Sequence, residues 1–151
     1  MSRRIRRALL GALLSLSATF GLVAGTAAPA HAEDATVYAV QLRWYIVLAT
    51  QDNNDVDEVY IKVDGTTVWG PYDSHRNHWI NLEVRTPVFY FDSVGAPMYI
   101  EMWDRDPGRN DKVGGFHVNT ATWGPPLGDR TQRLSGNDGI YDLEYRVWRV
   151  N

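Results

Sequence analysis

"IYDLEYRVWRV", Ile140 to Val150, decides the fold. Tyr141, Leu143, Tyr145 and Val147 fall on one side of an extended chain, with Asp142, Glu144 and Arg146 on the other. Side chains alternate across a strand with a period of two, so the segment reads as a strand with one face in a core and one in water. Trp148 continues the polar side and is its one aromatic member.

Upstream segments read the same way. "TVYAVQLRWYIVLAT" (Thr36–Thr50) is rich in the β-branched and aromatic residues that suit a pleated surface. "EVYIKVDGTTVW" (Glu58–Trp69) holds Asp64-Gly65 between two such runs, a strong hairpin signal. "HWINLEV" (His78–Val84) alternates Trp79, Asn81 and Glu83 with Ile80, Leu82 and Val84. "VFYFDS", "PMYIEMWD" and "GGFHVNT" are further strand candidates, and "WGPPLGDRTQRLSGNDG" (Trp123–Gly139) reads as the longest irregular stretch. No segment after residue 33 shows a helical period with caps, so an antiparallel all-β sandwich or barrel is expected.

The first 32 of the 151 residues stand apart. Arg3, Arg4, Arg6 and Arg7 precede an apolar run that closes on Ala30-His31-Ala32, an A-x-A cleavage pattern. That is the plan of a secretory signal peptide, so a secreted, extracellular domain over 33–151 is expected, with no stable transmembrane anchor. Four of the fifteen basic residues fall in the leader and none of the eighteen acids does, leaving eleven bases against eighteen acids, a net charge of −7. Such a chain is poorly suited to nucleic-acid phosphates and better suited to cations. With no cysteine, it stands without disulfides, thiolate zinc sites or a thiol nucleophile.

Its acids are clustered. Asp52, Asp55, Asp57 and Glu58 follow one predicted strand with no base among them. About fifty residues on, "MWDRDPGRNDKVGG" (Met102–Gly115) sets Asp104, Asp106 and Asp111 among Arg105, Arg109 and Lys112. Apart, these are acidic turns that keep a protein soluble. Converging, they carry about four excess negative charges that repel one another. Calcium relieves such repulsion through six to eight oxygens at about 2.3–2.6 Å and tolerates irregular loops. Zinc prefers the nitrogen and sulfur that these loops lack. A helix-loop-helix calcium site fails, because a loop starting at Asp52 puts Asp57 where glycine is required and Val63 where the closing glutamate belongs.

"YIEMWDRDPGRNDKVGG" resembles the third calcium-binding loop of C2 domains: an apolar strand, D-x-D, a short polar link, N-D, an apolar pair and glycine. "DNNDVDEVYIKV" resembles the first, where an aspartate precedes a D-P-Y-V-K-V-like strand by about six residues. The two motifs span roughly half of residues 33–151. The resemblance implies an eight-stranded antiparallel sandwich of small bacterial secreted type, with Ca2+ held by Asp52, by Asp57 or Glu58, and by Asp104, Asp106 and Asp111. Glu58 stands where the family has aspartate, so either the ligand is longer or a bulge brings Asp57 in. The third loop is one residue short, and the second, near "GPYDSHRNHW", lacks a family signature. The metal would order the loops and bridge to an anionic partner, whose identity as lipid, glycan or protein the residues do not give. A monomer is expected.

No catalytic constellation stands out. His75 and His78 lack a third ligand at protease spacing, and Ser74, Ser93 and Ser135 lie in no nucleophile elbow. The rival reading is a secreted carbohydrate-binding module stacking sugars on Trp69, Trp79, Trp123, Trp148 or Tyr72.

Overall fold

A computed structural model describes residues 35–52, 55–118 and 127–150. Among them the chain is all strand and turn. Nine strands follow in order: β1 Val37–Ala49, β2 Val56–Val63, β3 Thr66–His75, β4 Trp79–Asn81, β5 Phe89–Asp92, β6 Met98–Asp104, β7 Asp111–Val118, β8 Gly128–Gly136 and β9 Gly139–Arg149. The first sheet runs β4-β1-β9-β8 and the second β3-β2-β6-β7, with every pairing antiparallel. β5 and β4 lie along successive parts of β1, at Val37–Val40 and Trp44–Ile46. They divide one edge lane between them, so nine segments fill eight strand positions. No helix of the described residues is long and apolar enough to cross a membrane.

The two sheets share one core. Leu42, Tyr45 and Val47 of β1 and Tyr141, Leu143 and Val147 of β9 meet Val59 and Ile61 of β2 and Ile100 and Met102 of β6. The period of two in Ile140–Val150 therefore has its cause, since Tyr141, Leu143, Tyr145 and Val147 are all buried. A second tie is polar. The Tyr45 and Ser74 hydroxyls lie 2.6 Å apart across the sandwich, and Ser74 Oγ donates to the Tyr72 carbonyl at 3.0 Å. The Asp64-Gly65 hairpin forms as expected, with φ of 48° and 79°.

Two sequence expectations are corrected. The strand at His78–Val84 stops at Asn81, whose side chain accepts the Glu83 amide at 2.9 Å, while the amides of Arg85 and Thr86 turn back onto the Leu82 carbonyl. Leu82 stays in the core, but Val84 points to solvent at 85% exposure. Trp123–Gly139, read as irregular, contains the nine-residue strand β8. β8 is an edge strand with only Leu134 buried, so it lacks an apolar period. Its ladder with β9 and the two-residue Asn137-Asp138 turn, φ 51° and 70°, define it instead. Trp123 lies outside the described residues.

Candidate metal site

The β1–β2 loop enters β2 at Val56, and the β6–β7 loop leaves β6 after Asp104. Val59 pairs with Asp104 in the β2–β6 ladder, so the two acidic loops project from the same end of the sandwich. A register shift between Met102 and Trp103 inserts an extra residue, Val113, in β7 just below the second loop. Bulges of this kind re-aim the side chains beyond them. Here the result is an Asp104–Asp111 cross-strand pair at the mouth of the loop.

Asp52, Asp104 and Asp106 converge. Each presents a carboxylate oxygen within 4.8 Å of the other two. Asp104 is 1% exposed, and among the described residues neither of its carboxylate oxygens has a hydrogen-bond partner. Burial, with Asp57 and Asp106 close by and Asp52 beyond, raises its pKa to about 7. The main chain at Glu58 opposes the rise only in part. Asp106 is also raised, first by desolvation and then by Asp52, Asp111 and Asp57. Buried carboxylate oxygens without donors are costly, and more so with like charges around them. A divalent cation would satisfy these oxygens and neutralise the repulsion. The donor set is all oxygen and irregular, which suits calcium better than zinc.

The other acids take different places. Asp57 points inward and is fully buried, its carboxylate accepting the amides of Gln51 at 2.8 Å and Asp52 at 3.1 Å and the Tyr141 hydroxyl. It lies beside the cluster but is already well supplied with donors. Glu58 faces solvent, and its carbonyl accepts the Arg105 amide at 3.0 Å. Asp111 accepts from Asn137 Nδ2 at 2.6 Å, with Arg109 at 4.0 Å. Asp55, at φ 62°, turns toward Thr50 and Arg76. Tyr141, Gln51 and Asn137 were not legible as loop anchors. The period of two places Tyr141 in the core, but the partner of its hydroxyl depends on the opposite sheet.

The aromatic candidates separate too. Trp69 is half-buried and packs edge-on against Tyr45, while Trp79 is 59% exposed and leans on Trp44 with ring centroids 4.3 Å apart. Trp148 lines a hollow on the outer face of the first sheet. The "GPYDSHRNHW" segment forms the end of β3 and the Arg76-Asn77 turn, where the His75 and His78 rings lie 5.9 Å apart.

No family model matches the chain, and no curated protein matches it significantly in sequence. Similar solved structures include C2 domains. "Structure of a C2 domain" shares 16% identity at a TM-score of 0.43, covering 74% of this chain and 97% of that one. A C2 domain of plant extended synaptotagmin 1 shares 15% at 0.47, covering 77% and 96%. A pair of C2 domains from extended synaptotagmin 2 shares 16% at 0.47, covering 95% and 48%.

Proposed function

We propose that this chain is an exported calcium-binding module, a binding domain and not an enzyme, whose two acidic loops hold Ca2+ through Asp52, Asp104 and Asp106. The observation that carries this reading is the Asp104 carboxylate, buried with no hydrogen-bond donor among the described residues and facing two further carboxylates. Asp57 orders the first loop from behind, and Asp111 stands at the rim. Bound calcium would order the loops and offer its remaining coordination positions to an anionic partner such as a phosphate or carboxylate group. The leader pattern of residues 1–32 supports export, where calcium is plentiful enough for a loosely built site to fill.

The experiment is a thermal melt with excess calcium against chelator, for the native protein and for Asp104→Asn/Asp106→Asn. A ligand that binds only the folded state stabilises it by about 2.7 kcal/mol at a hundredfold excess over Kd. The expected result is a calcium-dependent rise in the native protein that the double variant loses. A melt indifferent to calcium would overturn this reading.

A further inference from the structure

We propose that the outer face of the first sheet binds a neutral saccharide, at a site centred on Trp148 and independent of the acidic loops. A hollow of about 340 Å³ opens there, lined by Trp148 and Arg146 of β9, Gln41 of β1 and Glu83 of the turn after β4. That volume suits a small ligand, whose pockets run from about 300 Å³ upward. The lining specifies the chemistry. An indole face offers an apolar platform with a polar edge, against which the C–H face of a pyranose stacks. Around it stand an amide, a carboxylate and a guanidinium, so donors and acceptors meet in one small space. A neutral polyol, whose hydroxyls both donate and accept, matches that set. An anion would meet Glu83, while the Arg146 charge is already taken up by Asp129.

The polar groups are held in place before any ligand arrives. Arg146 grips Asp129 with two hydrogen bonds, at 2.6 and 3.0 Å. The Gln41 side-chain amide lies 3.3 Å from the carbonyls of Leu42, Glu83 and Thr86, which leaves Oε1 as its accepting end. Glu83 has Arg43 Nε at 3.8 Å. Groups fixed in this way lose little freedom on binding.

A second platform shares the face. Gln41 pairs with Arg146, and Trp44 with Glu144, in the β1–β9 ladder. Trp148 pairs with Ala39, so Trp44 lies five residues along β1 from the Trp148 platform, on the order of 16 Å. It supports Trp79, which is 59% exposed. Two aromatic platforms spaced along one sheet face suit an oligosaccharide better than a single sugar.

The test is calorimetric titration of the full chain, in excess chelator, with cellohexaose, xylohexaose, chitohexaose and, as the anionic probe, polygalacturonate. At least one neutral hexasaccharide should bind, with Trp148→Ala weakening it about tenfold or more. Glu83→Ala should weaken it severalfold. Because Glu83 lies on an exposed turn, this variant keeps its fold and decides the matter if Trp148→Ala does not. No neutral oligosaccharide binding at millimolar concentration overturns the proposal. So does affinity unchanged in the folded variants, or binding of polygalacturonate alone. Chelator is present throughout, so failure here leaves the calcium reading untouched.

Discussion

The hydroxyl of Tyr141, on β9 of the first sheet, donates a hydrogen bond to the Asp57 carboxylate, on β2 of the second, and both residues are fully buried. Asp57 also gathers the Gln51 and Asp52 amides. The loop that carries Asp52 is thereby fastened, through one carboxylate, to the opposite wall of the sandwich. Burial, and then the Asp57 acceptor itself, push the Tyr141 pKa far above its ordinary value, so the phenol remains a donor wherever the protein folds.

Tyr141→Phe removes that donor without emptying the core. A buried carboxylate that loses one of its partners costs about 1–3 kcal/mol. Urea denaturation should show a loss of that size, and the calcium-dependent rise in melting temperature should shrink with it as Asp52 loosens. Stability equal to the native protein's would show that the hydroxyl holds nothing.

Asp104 gives the metal-free protein a pH dependence whose sign is fixed. Its folded-state pKa, about 7, stands above the unfolded value near 4, so the folded state binds the proton more tightly. The stabilisation from that proton is complete below the unfolded value and is lost as pH rises through about 7. In chelator, native protein should lose stability between pH 5 and 8 relative to Asp104→Asn, which has no proton to lose. Calcium should reverse the loss at pH 8, because it takes the proton's place. A pH profile shared by native and variant would rule out Asp104 as the source.

These residues also mark what the chain discloses by itself. The inner face of β9 was legible because one period governs both strand and burial. The convergence of Asp52 with Asp104 and Asp106 was legible as charge that lacked bases in the first loop and followed a strand in both. Which of Asp57 and Glu58 turns inward was not. It depends on which parity of β2 faces the core, and the Tyr141 hydroxyl that fills one side of that choice comes from a strand more than eighty positions away. β8 escaped for the opposite reason: an edge strand with one buried side chain has no periodic signal, and its ladder is made by backbone atoms.

Gly70 tests the bulged register of β3. Its φ is +84°, and a Cβ there would lie 2.3 Å from the Val59 carbonyl oxygen and 2.7 Å from Tyr60 Cα, both backbone. Gly65, at φ +79°, meets nothing within 4 Å. Gly65→Ala should therefore cost only the left-handed strain, about 1 kcal/mol, whereas Gly70→Ala adds a backbone clash and should cost about 3 kcal/mol or more. Equal losses in chemical denaturation would mean that β3 shifts freely away from β2.

The sharpest separation among the acids is between neighbours in the first loop. Glu58 is exposed and outside the three-carboxylate cluster, whereas Asp52 contributes an oxygen to it. Glu58→Gln should leave the calcium-dependent melting shift nearly as it is, changing only a screened surface charge. Asp52→Asn removes one anionic ligand and should cut calcium affinity about tenfold or more, with little change in the metal-free melt, because its main-chain contact to Asp57 remains. Calcium titration by calorimetry on the two variants decides the point. If Glu58→Gln abolished binding while Asp52→Asn did not, the loop would have to turn over on metal binding and present its longer carboxylate.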